Sequence, residues 1–222
     1  RIAAGEIGTV RKVVVEYPQG WLAGEAVGKQ AEWRVDPAKA GLGGCIGDIG
    51  VHAFQLAEFV TGLRVTEMLA DLGAVVPGRL LDDDCSILLR FDNGARGVLL
   101  ASQIEVGELN GLRIRAYGDK GGVTWKQEEP NTLTINRLDG TCTLVRSGTG
   151  VLGSDAASRT RTPGGHPEGY LEAFANLYRD FAAQLRGESA PLLPGIAEGV
   201  RGMAFIQTAV SASRDSAGWV KL

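Results

Sequence analysis

An α+β fold, with a predominantly antiparallel sheet and helices packed on one face, is what this sequence predicts, and three observations carry the prediction. Short apolar runs flank tight-turn dipeptides through the middle of the chain. Apolar residues at helical spacing stand near the beginning and the end. With 222 residues, 44% of them hydrophobic, the chain is long enough for one good core, so one domain is expected.

The elements follow in order. Val10 to Tyr17 (VRKVVVEY) is β-branched and of strand length, entered through a turn at Glu6-Ile7-Gly8. A Trp-rich connector, Gln19 to Asp36, comes next. From Gly44 to Val60, Ile49, Ala53, Leu56 and Val60 fall at helical spacing, and Gly62 stands where a glycine C-cap belongs. Cys85 to Phe91 and Ala95 to Ser102 flank Asp92-Asn93-Gly94, whose Asn-Gly step tolerates the positive φ of a hairpin turn. Leu112 to Tyr117 pairs with Val123 to Lys126, and Thr132 to Arg137 with Thr141 to Val145 across Asp139-Gly140. Ser147 to Gly165 has no periodicity and reads as a long loop. After Pro167 the stripe Tyr170, Phe174, Leu177, Phe181 and Leu185 predicts an amphipathic helix closed by Gly187. A weaker helix covers Gly195 to Ala212, interrupted by Gly199 and Gly202, and Trp219 to Lys221 is a final edge strand.

Consecutive apolar residues at Ile87-Leu88-Leu89 and Val98-Leu99-Leu100 imply that both faces of the sheet are apolar. With helices on one face, the other needs a partner, and a homodimer through that open face, or a dimer of dimers, is expected.

Composition narrows the function. A net charge of −3 gives no basic footprint, so nucleic acid and acidic membrane surfaces are disfavoured and a small molecule fits better. No apolar stretch reaches bilayer-spanning length and no basic-then-apolar leader opens the sequence. Cys45, Cys85 and Cys142 are odd in number and form no CxxC, which argues against a disulfide framework or zinc knuckle and for a reducing, cytoplasmic setting. With only His52 and His166, and no HExxH, no metal centre is expected. The sequence opens on Arg1 and runs almost at once into a strand, as an interior segment would.

The densest chemistry lies in Gly43-Gly44-Cys45-Ile46-Gly47-Asp48-Ile49-Gly50-Val51-His52. Asp48 and His52 are four apart and so share a helical face. An imidazole, titrating near neutrality, suits the hydroxyl proton that an alcohol sheds as its hydride leaves, and a carboxylate can orient that imidazole or hold a second hydroxyl. Gly50 inside a helix suggests a close approach there, a cofactor ring or a substrate being one candidate. Spacing alone equally allows a first-turn carboxylate and a core histidine.

GGCIGDIGVH resembles the GGxxxDxGxH signature of the glucose-fructose oxidoreductase and inositol dehydrogenase family (Gfo/Idh/MocA). GEIGTVRKVVVEYPQGWL is similar to the first strand of that family's C-terminal domain, and GHPEGYLEAFANLYRDF to its late helix, so the likeness runs through the whole chain in order. The resemblance implies that residues 1–222 are a substrate-binding, catalytic C-terminal domain, that Asp48 and His52 contact substrate with His52 as acid/base, and that the reaction moves hydride between NAD or NADP and a sugar, polyol or related cyclic hydroxyl compound. The family's N-terminal Rossmann domain, which supplies the glycine-rich turn and a Glu-Lys-Pro lysine, has no counterpart here, so most cofactor contacts are expected outside this chain and the chain alone is expected to be inactive. A non-redox carbohydrate-binding or dimerising module of the same fold, and a glycoside-cleaving relative that uses NAD, remain as alternatives.

One GxGxxG, Gly148 to Gly153, follows a hairpin strand with no amphipathic helix starting after it and no βαβ unit around it, and reads as a flexible loop, not a nucleotide site. Trp21, Trp33 and Arg34 are expected to form a sugar-binding wall, aromatic faces against C–H and guanidinium against hydroxyl, the alternative being core-edge tryptophans and a solvated arginine. His166 is expected to reach substrate from the long loop, or else merely to end that loop beside a proline at the first helical position. Arg159 and Arg161 could gate the same cleft, and Asp82-Asp83-Asp84 reads as a charged strand entrance that discourages edge pairing.

Overall fold

The structure, a computed structural model, describes residues 1–25, 27–150 and 152–222. A single nine-stranded sheet runs in the order β8-β7-β6-β5-β1-β4-β3-β2-β9. Its strands are β1 (Val10–Pro18), β2 (Val65–Gly73), β3 (Asp84–Phe91), β4 (Arg96–Ser102), β5 (Arg113–Gly118), β6 (Gly121–Lys126), β7 (Thr132–Arg137), β8 (Cys142–Arg146) and β9 (Val220–Lys221). The α-helices are α1 (Lys29–Arg34), α2 (Pro37–Ala40), α3 (Val51–Thr61), α4 (Ser154–Ser158), α5 (Tyr170–Leu185) and α6 (Ile196–Arg214), and a π-helical turn, Ile46–Gly50, leads into α3.

The three predicted hairpins form in register: Arg90 faces Arg96, Tyr117 faces Gly122 and Asn136 faces Cys142. Two features depart from a chain of hairpins. β1 pairs with β4 in parallel, Pro18 opposite Ser102, so both strands end at the same edge of the sheet. β2 has no counterpart among the predicted strands. A register shift between Val65 and Glu67 breaks its period-2 alternation, and its apolar residues Val65, Met68, Leu69 and Leu72 then fall at helical spacing.

Alternation sorts the apolar runs onto two faces. Ile87, Leu89 and Leu99 are buried in the core under α3 and α6, whereas Leu88 is 44% exposed. Pairing aligns Leu69, Leu88, Val98 and Val14 in one row across β2, β3, β4 and β1 on the uncovered face. That row is flanked by the Arg113–Glu16–Arg115 and Arg90–Glu67 ion pairs. Helix α6 runs unbroken through both predicted interruptions, because Gly202 is where α3 comes close: a Cβ there would lie 3.0 Å from Val51 Cγ2.

Helix α5 departs from expectation. Its stripe forms, but Tyr170, Phe174, Leu177, Phe181 and Leu185 are 40–73% exposed instead of buried on the sheet. Polar ties hold it to the preceding segment, through Arg159 to Asp180, Arg179 to Ser158 O and Arg161 to Asn176. Arg159 and Arg161 therefore anchor α5 and do not stand free over a cleft. The helix begins at Tyr170 with Glu172 capping Gly169 N at 2.8 Å, so Pro167 is outside the first helical position.

Candidate active site

The parallel β1–β4 pair decides where the site sits. The strands end side by side, so the run after β1 (Gln19, Trp21) and the residue after β4 (Gln103) emerge at one sheet edge, tied by Gln19 N to Ser102 O at 2.8 Å and Leu22 N to Gln103 O at 3.0 Å. Asp48 comes to the same edge from the π-turn. The turn exists because Val51 N bonds Ile46 O, five residues back, inserting one extra residue just before His52.

Asp82 fixes the entry to this turn. Its Oδ1 accepts from Gly44 N and its Oδ2 from Ile46 N, both at 2.7 Å, while its carbonyl accepts from Cys45 N at 2.8 Å. A carboxylate holding the first amides of a helix satisfies orphan donors and complements the dipole. Asp83, 2% exposed, accepts from Val75 N and Val76 N and so ties down the loop after β2. The reading of this run as a charged strand entrance that discourages edge pairing is thus corrected at Asp82 and Asp83, whose carboxylates hold backbone amides within the chain.

Asp48 Oδ2 lies between two donors, Arg34 Nε at 2.9 Å and Gln103 Nε2 at 2.8 Å. The Arg34 guanidinium stacks on Trp33 at 4.4 Å and faces Trp21 at 5.5 Å, and its Nη1 is bound to Gln30. Trp21 and Trp33 are 43% and 38% exposed, which rules out a core-filling role. Four of the predicted residues, Trp21, Trp33, Arg34 and Asp48, therefore form one partly open cluster. Asp48 Oδ1 and Arg34 Nη2 have no hydrogen-bond partner among the described residues, which leaves one acceptor and one donor for a ligand.

His52 is exposed on α3, its ring edge-on to Tyr17 at 6.3 Å between centroids. Among the described residues its imidazole has no hydrogen bond and does not meet Asp48, so the carboxylate does not orient it. The Tyr17 ring contact does that, with the Tyr17 hydroxyl held on Asn110 Oδ1 at 2.7 Å. Asn110 also accepts from Gln19 Nε2 at 2.9 Å, and Gln19 Oε1 accepts from Trp21 Nε1 at 2.7 Å, so one polar chain links the histidine and tryptophan sides. Gly50 does not admit a ligand, since its missing Cβ is needed by Ile46 Cδ1, 2.8 Å from where it would be. Gly47 is the open glycine, with nothing within 4 Å of its Cβ position.

His166 is not brought to this cluster. It is exposed in the long loop, its Nδ1 3.2 Å from Pro163 O and its carbonyl accepting from Thr162. Asn131 ties the loop's end, Glu168, to the start of β7, on the same sheet edge but three strands from β1. The GxGxxG run is a clasp: Gly164 N bonds Gly148 O, and a Cβ on Gly148 would strike the backbone at 2.6–2.9 Å. Val151 of that run lies outside the described residues. A five-residue helix, α4, starts directly after the run at Ser154, but among the described residues the clasp offers no cradle for a pyrophosphate.

Gln103, Tyr17 and Asn110 were missed from sequence. Two of them were legible: Gln103 continues the inward parity of Gly97, Leu99 and Ala101, and Tyr17 that of Val13 and Val15. A polar group at an inward position needs a partner. Replacing Gln103 with Leu should cost about 1–3 kcal/mol of stability, because Asp48 loses a buried donor. Urea unfolding checks it, and an unchanged midpoint would show that the bond contributes nothing.

This fold, with its Asp48-bearing turn at the ends of a parallel strand pair, defines a class of C-terminal domain. The profile of the GFO/IDH/MocA C-terminal domain matches residues 1–124, and the chain belongs to that family. It is 40% identical to the crystal structure of an oxidoreductase from Sinorhizobium meliloti, with a TM-score of 0.87 over 99% of this chain and 59% of that one. It is 29% identical to an inositol dehydrogenase homolog from Azotobacter vinelandii complexed with NADH and myo-inositol, with a TM-score of 0.91 over 100% of this chain and 59% of that one. The uncharacterized oxidoreductase YfiI of Bacillus subtilis (strain 168) is 31% identical over 99% of this chain and 59% of its own length. The chain thus spans about three-fifths of each of these relatives. No helix among the described residues is long and apolar enough to cross a membrane.

Proposed function

We propose that residues 1–222 form the substrate-binding, catalytic C-terminal domain of a cytoplasmic NAD(P)-dependent oxidoreductase that acts on a cyclic polyol, sugar or anhydrosugar. The observation that carries this reading is the meeting of Asp48, Arg34, Trp21 and Trp33 at the edge of the sheet that also carries exposed His52. A polyol ring lies with its C–H face on tryptophan and its hydroxyls toward Asp48 Oδ1 and Arg34 Nη2. His52 takes the proton of the reacting hydroxyl as hydride departs and returns it in the reverse direction. The nicotinamide supplies the hydride acceptor when bound.

The cofactor is held mainly by a nucleotide-binding domain outside these residues. The GxGxxG run does not fit a pyrophosphate among the described residues, and the exposed stripe of α5 suits cover by such a domain. The test is NADH or NADPH formation by the protein that joins this chain to that domain, with myo-inositol and a panel of cyclic sugars. Oxidation of any of them supports the reading. Sugar binding without reduction of either cofactor, across the panel, would favour a non-redox carbohydrate module instead.

The same reading makes the uncovered sheet face a homodimer contact, centred on Leu69, Leu88, Val98 and Val14. Placing a charge in that row, Leu88→Arg, should convert a dimer into a monomer in light scattering. A wild-type chain that is already monomeric at micromolar concentration removes the interface.

A further inference from the structure

Beneath the Asp48 turn, folding brings together two cysteines that lie 40 positions apart. Cys45 opens the turn, Cys85 is the second residue of β3, and both are buried, 0% and 1% exposed. Cys85 Sγ lies 3.4 Å from Asp82 Oδ2, and one donor atom from each of Cys45, Asp82 and Cys85 falls within 4.8 Å of the others. From this cluster we infer a buried site for a thiophilic divalent cation, of the zinc or cadmium type, held by the Cys45 and Cys85 thiolates and the Asp82 carboxylate.

Four arguments support it. Two thiolates select soft d10 cations over magnesium or calcium. Zinc–sulfur bonds of about 2.3 Å place two sulfurs roughly 3.8 Å apart, so donors within 4.8 Å need close by only about 1 Å. Charge also balances: two thiol protons leave to solvent as one M2+ enters, so the net charge of the buried site is unchanged, whereas a monovalent ion would leave it one unit more negative. The acidic surroundings point the same way. Asp82 and Asp84 lie within three residues of Cys85 and Asp48 three after Cys45, and that concentration of negative charge favours a cation. A cation drawing on Asp82 Oδ2 competes with Ile46 N, so the site is coupled to the turn that presents Asp48.

The test is titration of the reduced chain with cadmium ion under anaerobic conditions. One equivalent per chain should produce thiolate-to-cadmium charge-transfer absorption, release two protons and raise Tm. Cys142→Ser, at the exposed cysteine, should behave like wild type, whereas Cys45→Ser and Cys85→Ser should each lose the band. Should either core variant fail to fold, X-ray absorption on the cadmium-loaded wild type decides, with two sulfur neighbours expected. No band at one equivalent, a band that vanishes only in Cys142→Ser, or fewer than two sulfur neighbours would overturn the site.

Discussion

His52→Ala, made in a protein that joins this chain to the proposed nucleotide-binding domain, is expected to lower kcat by about 10²- to 10⁴-fold, the usual contribution of a positioned acid/base. The side chain is exposed and has no hydrogen bond among the described residues, so its removal should leave Tm nearly unchanged. Substrate affinity should also change little, because the anchors proposed for the polyol are Asp48, Arg34 and the tryptophans. The prediction is thus a fall in kcat at nearly constant KM and stability. Steady-state kinetics beside a melting curve measures all three, and turnover within twofold of wild type would remove His52 from the chemistry.

Asp82→Ala is expected to have the largest effect on stability. It strips two 2.7 Å bonds from Gly44 N and Ile46 N and leaves those amides unpaired at a helix start. Loss of such a cap costs about 0.5–2 kcal/mol, and orphaned donors add to it, giving roughly 2–4 kcal/mol here. For a chain of this length that lowers Tm by roughly 5–15 °C. Because the turn that presents Asp48 would loosen, KM should rise as well. Asp84→Ala, two residues on, is the control, expected within about 0.5 kcal/mol of wild type. Equal destabilisation by both would show that the caps do not set the stability of the turn.

The fold was most legible where turn chemistry is local. Asn93-Gly94 and Asp139-Gly140 mark hairpins because the required positive φ falls on a glycine, +87° and +85° respectively. Legibility failed where pairing is nonlocal. No dipeptide announces that β1 lies parallel to β4, and the bulge near Thr66 gave β2 the apolar spacing of a helix. The α5 stripe was read correctly as amphipathic, but a hydrophobic pattern says only that a face will be covered, not by what. Within the candidate site, the same limit applies. Helical spacing brought Asp48 and His52 to notice together, yet the carboxylate turned out to face Arg34 and Gln103 from distant segments. Cys45 and Cys85 looked scattered for the same reason, since only the docking of the π-helical turn on Asp82, just before β3, brings them together.

The account rests on Asp48 and His52 meeting one substrate from neighbouring turns of a single helix. A crystal structure of the longer protein with NADH and a cyclic polyol tests that most directly. The prediction is a ring stacked on Trp21 or Trp33, one hydroxyl on Asp48 Oδ1, and another about 2.6–3.2 Å from a His52 ring nitrogen. A polyol bound elsewhere on the chain, with His52 still facing only Tyr17 and solvent, would contradict it.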